Sequence, residues 1–173
     1  MEAEILKKPP ISGDYEEHNF SDSGNTVWVK FFDEEYNEWC GVFSLGWKSE
    51  SSIIKIAKKP VFVVVAGGNC YFVNVNTRKI EFKIVSDDIE AIIYNDESGN
   101  VVVSDGLRIG ILTNYEISWV TERVSLDGIS FTGNEGVWVL GVLNDCTDEG
   151  CIFKFNSNTG EVSSKWLFFE NIS

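Results

Sequence analysis

Four apolar runs mark the chain from Val27 onward: VWVKFF at 27–32, VFVVV at 61–65, NVVVS at 100–104 and GVWVLGVL at 136–143. Val, Phe and Trp dominate them, and Gly, Asn, Asp and Ser bound them. That pattern predicts strands separated by turns. No long stretch has apolar residues at helical spacing with caps. The one short helical alternative is Ser49–Lys58, and Ile53, Ile54 and Ile56 oppose it because β-branched side chains lose rotamer freedom on a helix. Residues 1–22 are polar, hold Pro9 and Pro10, and carry Asp14, Glu16, Glu17 and Asp22. They predict an irregular or edge-covering arm ahead of an all-β repeat domain over 23–173.

The strands recur with a period. The runs begin at Val27, Val61, Val101 and Val137, in steps of 34, 40 and 36 residues. Two share an introducing turn, SGNTVWV at 23–29 and SGNVVVS at 98–104. A shift of 82 residues carries Asn74 to Asn156, Asn76 to Asn158, Thr77 to Thr159, Ile80 to Val162 and Lys83 to Lys165. Half that shift lands near GILTNYEISW at 110–119, again strand, polar turn, strand, and GVFSLGWKSESSIIKI at 41–56 is a poorer fourth copy. Asn starts such turns by hydrogen-bonding the backbone ahead of it. Gly160 suits the positive φ that closes the later hairpin. Its counterpart is Arg78, so equivalent turns would place the strain on Asn76, or the loop differs.

A period near 40 with several strands per unit is the signature of propeller blades. The segment IFKFNSNTGEVSSKW at 152–166 resembles the closing strands of a quinoprotein-type β-propeller blade through Phe155, Asn158, Thr159, Gly160, Val162 and Trp166. The likeness extends more loosely to 71–84, where Arg78 and Ile84 replace Gly and Trp, and the alanine and aspartate that usually precede the turn are missing. It implies a structural motif and no quinone or other cofactor, and 173 residues are too few for that family's full ring. The expected fold is an all-β single domain of about four blade-like antiparallel repeats, a small or partial propeller-like domain. An open β-sandwich is the alternative. Four blades sit at the lower limit for propellers.

The length suits one domain that buries roughly 70% of its unfolded surface and needs no disulfide or metal. Apolar residues make up 43% and aromatics 13%, too many for a disordered chain. No apolar run is long enough to span a membrane, and the first residues show no signal-peptide core, so the expected compartment is cytoplasmic. The net charge of −13 disfavours nucleic acid and anionic membranes and favours a basic protein surface. Cys40 and Cys70 stand alone, and Cys146 and Cys151 flank TDEG, which is no zinc pattern. Free buried thiols are expected, with a Cys146–Cys151 bridge as the lesser alternative.

Catalytic material is scarce. His18, the single histidine, is expected exposed in the arm beside Glu16 and Glu17. Carboxylates are numerous enough to supply a paired-acid glycosidase, with Asp33, Glu34, Glu35, Asp87, Asp88, Asp105 and Asp127 as the candidates, and Asp88 and Asp127 occupy similar places before their blades. Asp88 and Asp127 are expected to cap turns. NDCTDEGC at 144–151 is acidic enough to suit Ca²⁺ but matches no EF-hand spacing, so a loop with solvated charges is expected. VVAGGNC at 64–70 is a turn and lacks the phosphate-loop pattern.

Trp28, Trp138 and Trp166 are expected to pack the core. Trp39 and Trp47 bracket CGVFSLG and follow the acidic DEEYNE at 33–38. Exposed with Tyr36, they would anchor a partner. The candidate partner-binding set is therefore Asp33, Glu34, Glu35, Tyr36, Trp39 and Trp47. The expected function is a non-catalytic acidic interaction module for a basic protein, in the manner of an inhibitor or immunity protein. A carbohydrate-binding or carbohydrate-cleaving protein and a structural subunit of a larger β assembly, with self-association, are the alternatives.

Overall fold

The polar arm is folded into the first sheet. In the computed structural model, which describes residues 1–22, 24–48, 50–84, 88–113, 116–145 and 151–164, β1 (Glu2–Ile5) and β2 (Glu16–Asn19) both come from it. They flank the hairpin β3 (Thr26–Phe32) and β4 (Glu38–Ser44), giving the order β1-β3-β4-β2. β1 runs antiparallel to β3, whereas β2 runs parallel to β4.

The second sheet is a consecutive meander of β5 (Ser51–Lys55), β6 (Val61–Ala66), β7 (Asn69–Asn74) and β8 (Lys79–Ile84). The helical alternative at 49–58 gives way to β5, as its isoleucines require. β6 is buried along its whole length and β7 nearly so. The first two sheets belong to one compact unit, Met1–Asp88. Its core joins Val29, Phe31, Trp39 and Phe43 of the first sheet to Phe62, Val64, Tyr71 and Val73 of the second. Gly41 admits these rings: a Cβ there would stand 2.8 Å from the Phe43 ring and 3.2 Å from Phe31.

The other compact unit, Ile89–Ser173, repeats the arrangement. One meander holds β9 (Ala91–Asn95), β10 (Asn100–Ser104), β11 (Ile109–Thr113) and β12 (Glu116–Trp119). The next holds β13 (Ile129–Glu135), β14 (Trp138–Leu143), β15 (Cys151–Asn156) and β16 (Val162–Ser164). Val102, Ile109, Val139, Phe153 and Phe155 centre the core between them. The fold is all-β, with four four-stranded, blade-like sheets and no helix among the described residues.

Asn-based turns close the hairpins as the repeat predicts. Asn74 Oδ1 accepts the N–H groups of Asn76 and Thr77, both at 3.1 Å. Asn156 Oδ1 accepts those of Asn158 and Thr159 at 3.0 and 3.1 Å. The strain does not fall on Asn76. Arg78 itself takes φ +55°, matching Gly160 at φ +78°. The left-handed region costs a non-glycine residue about 1–2 kcal/mol, so a side-chain reason for arginine is expected.

A polar network joins the two sheets of the second unit, with Asn95 and Ser157 buried and Asn134 exposed. Asn95 Nδ2 donates to the Gly136 carbonyl at 2.9 Å, and Asn134 Nδ2 donates to the Tyr94 carbonyl at 2.9 Å. The Ser157 hydroxyl lies 2.7 Å from the Val137 carbonyl and 2.8 Å from Ser98 Oγ, so it donates to the first and accepts from the second. Trp28 and Trp138 are half-buried, and Trp166 lies outside the described residues.

Candidate interaction site

The turn from β3 to β4 is built by Asp33. Its Oδ1 accepts the backbone N–H groups of Glu35 and Asn37, each at 2.9 Å, and its Oδ2 accepts Asn37 Nδ2 at 3.0 Å. The Asn37 side chain, the N–H groups of Asn37 and Glu35, and the Arg78 guanidinium hold the Asp33 carboxyl below its usual range, against burial. Tyr36 closes the turn at φ +62° and stands 82% exposed. Glu34 and Glu35 are exposed. Asp33 thus shapes the turn, and the two glutamates face solvent on it.

Beside this turn lies a pocket of about 380 Å³ lined by Asp33, Glu34, Glu35, Asn37, Asn76 and Arg78. Arg78 explains its strained backbone here. One guanidinium nitrogen pairs with Glu16 of β2, and another sits 3.8 Å from Asp33 Oδ2. Glu16 in turn lies 2.9 Å from His18 Nε2. His18 and Arg78 together hold the Glu16 carboxyl below its usual range. A glycine at position 78 would relax the turn and lose this bridge between two sheets.

The structure corrects two expectations. Trp39 is not an exposed anchor; it is fully buried. It stacks on Phe31 at 4.5 Å between ring centroids and meets the His18 ring edge-on at 5.2 Å. The turn ends at Asn37, so the alternation along β4 points Trp39 inward with Gly41 and Phe43. His18 is likewise not a solvated arm residue, because β2 packs its ring on Trp39 and Phe20.

Trp47 is 90% exposed, but it is not brought together with Tyr36. They sit beyond opposite ends of β4, whose seven residues span about 23 Å. The loop under Trp47 is pinned to the β6–β7 turn: Gly46 N–H donates to the Ala66 carbonyl at 3.0 Å and Lys48 N–H to the Gly67 carbonyl at 3.1 Å. Gly67, at φ +59°, is required there, since a Cβ would stand 2.7 Å from the Lys48 carbonyl oxygen.

Two other carboxylates, Asp105 and Asp145, shape turns. Asp105 accepts the Leu107 and Arg108 N–H groups and pairs with the Arg108 guanidinium. Asp127 is exposed, and the cap expected of it comes from Asp145, which accepts the N–H groups of Leu126 and Asp127. Asp87, Cys146, Asp148 and Glu149 lie outside the described residues, and so do the Cys146–Cys151 pairing and the ion expectation for 144–151. Among the described residues, no group of three or more His, Cys, Asp or Glu is placed to hold a metal, and no helix is long and apolar enough to cross a membrane. Cys40 and Cys70 are free and buried, and burial pushes their thiols up to about 11 and about 12.

The composition of the units bears on the charge argument. Residues 89–173 hold thirteen Asp and Glu against four Lys and Arg, while 1–88 hold fourteen against ten. Most of the net charge therefore lies away from the β3–β4 turn in sequence. Arg78, Glu16, Asn37 and Asn76 were not singled out as site residues from sequence. The available signal was the arginine at a position where the repeat uses glycine.

No protein-family model matches this chain, and no curated protein matches it. Among solved structures, the β-propeller domain of Cps50 (Swd1) from Myceliophteria thermophila is similar to it, with a TM-score of 0.47 and 14% identity over 80% of this chain. The chain spans about half of that domain, 52% of its length. No site residue is transferred from it.

Proposed function

We propose that this chain is a non-catalytic interaction module whose β3–β4 turn receives a basic protein partner. The observation that carries the reading is the exposed pair Glu34 and Glu35, set beside Tyr36 on a turn that Asp33 makes rigid and at the mouth of the Arg78 pocket. Preorganised carboxylates lose little freedom on binding. Exposed Tyr supplies a flat amphipathic contact. The wider acidity adds steering toward a cationic surface and sets partner choice and association rate more than affinity. An inhibitor or immunity-type protein that neutralises a basic enzyme fits this pattern, with no quinone or other cofactor.

The test compares the tagged wild type with a Glu34→Gln/Glu35→Gln/Tyr36→Ala variant as bait in its host lysate, eluted by a salt gradient. A basic protein retained by the wild type, released at moderate salt and absent from the variant supports the reading. Equal retention by both baits overturns it. Trp47 favours one second reading, carbohydrate binding, because an exposed indole on a pinned loop suits a sugar ring. Unchanged tryptophan fluorescence across an oligosaccharide panel removes it.

A further inference from the structure

β2 is the anomaly of the first sheet. In each of the other three sheets the fourth lane is filled by an antiparallel strand that follows directly from the third. In the first sheet the chain leaves β4 for another sheet, and the lane is filled from the arm by four residues in parallel register, Glu16 on Trp39 through Asn19 on Val42. Parallel pairing is slightly the weaker per residue. Glu16, Glu17 and Asn19 are exposed, and the ion pair from Glu16 to Arg78 is open to solvent. Such pairs hold weakly.

What lies under β2 is also incompletely satisfied. The indole N–H of Trp39 is buried and has no hydrogen-bond partner among the described residues. Burying an orphan donor is costly. His18 and Phe20 cover the indole, and the Phe20 ring sits 6.4 Å from Trp39 and 5.3 Å from Phe43.

We infer that β2 is an exchangeable strand, and that the β4 edge beneath it docks an extended, basic segment of the partner. The inference rests on the basic-partner reading and specifies its binding mode. Addition of a strand to a free sheet edge supplies main-chain hydrogen bonds, and alternate side chains supply specificity. An aromatic or aliphatic side chain takes the place of Phe20 between Trp39 and Phe43. Lys or Arg side chains lie toward Glu34, Glu35 and Glu38 at the start of β4. An antiparallel entrant would restore the pairing found in the other three sheets. Release of β2 also removes Glu16 and Glu17 from the lane and leaves Arg78 with Asp33, 3.8 Å away.

The register provides the test. Glu17 lies opposite Cys40, and neighbouring strands are about 4.8 Å apart, within the Cα separation a disulfide accepts. The variant Glu17→Cys, oxidised, locks β2 in place; its circular dichroism checks the fold, and reduction in the same tube reverses the lock. The probe is the peptide acetyl-Lys-Val-Lys-Phe-Lys-Val-Lys-amide, read by tryptophan fluorescence. Its control replaces both Val with Pro, which keeps the charge and removes strand donors. The expected result is binding to the wild type and to the reduced variant, loss on oxidation, and weak or no binding of the Pro peptide. Equal binding by the oxidised and reduced variant overturns the inference, as does equal binding of the two peptides or no binding of the Val peptide to the wild type. Each of those leaves the acidic-turn reading to its own lysate test, where loss of the partner on changing Glu34, Glu35 and Tyr36 is independent of the lock.

Discussion

Arg78 adopts the left-handed backbone that Gly160 adopts at the equivalent turn 82 residues later, φ +55° against φ +78°. The two hairpins share their Asn cap geometry, so the difference between them is the side chain. Strain kept at one copy of a repeat, where the other copy avoids it, points to a use for that side chain. Here the use is the bridge from Glu16 to Asp33 beside the pocket.

Substitution at 78 separates backbone from side chain. Arg78→Ala keeps the left-handed cost and loses both ion pairs, whereas Arg78→Gly loses the pairs and relieves the backbone. The glycine variant is expected to be the more stable of the two by about 1 kcal/mol in urea unfolding. Equal midpoints would show that the turn relaxes on its own.

The two tryptophans that bracket 40–46 should behave as opposites. Trp39→Ala removes a fully buried ring and is expected to cost about 3–5 kcal/mol. Trp47→Ala removes an exposed one and is expected to stay within about 0.5 kcal/mol of wild type. Thermal unfolding followed by far-UV circular dichroism checks both.

Asn95 is fully buried, donates to the Gly136 carbonyl and caps Ser98. Asn95→Ala strands those groups and is expected to destabilise the protein by about 2–3 kcal/mol. Hydrogen exchange should show the loss first in the β9–β10 and β13–β14 turns.

Asp33 has its folded-state carboxyl below the usual value of 3.8. A depressed carboxyl stabilises the fold fully above its unfolded value, and that contribution is lost as pH falls through the folded value. The effect is therefore confined to pH below about 4. Asp33→Asn is expected to flatten the acid limb of the stability profile and leave the neutral region parallel to wild type, as read by urea midpoints across pH.

Cys40 and Cys70 report on different depths. Cys40 lies next to the outer strand β2, and Cys70 lies on the inner strand β7, with burial holding their thiols near 11 and 12. At pH 8 both are expected to be slow toward a thiol reagent, with Cys40 labelled before Cys70. Mass spectrometry of partly labelled protein gives the order.

The strands of 27–32, 61–65, 100–104 and 136–143 were legible because Val-rich runs between Asn and Gly turns admit little else. The turn at 74–78 was legible in its cap and misread in its strain, since Arg is a poor left-handed residue and its Glu16 and Asp33 partners lie 62 and 45 positions away. β1 and β2 were hidden by composition. EAEI and EEHN are weak strand formers, and edge lanes ask little beyond backbone hydrogen bonds and one inward side chain in two, here Ala3, His18 and Phe20. Trp39 was misplaced because the acidic run before it suggested a surface, while the inward direction is set by where the turn ends.

The strand order β1-β3-β4-β2 has a consequence for the sequence of assembly. The other three sheets close through neighbouring hairpins, whereas β1 must find β3 with Glu2 opposite Phe32, thirty positions away. Longer closure slows pairing. The β3–β4 hairpin is therefore expected to form with both of its flanks open and to receive the arm afterwards, one strand to each side.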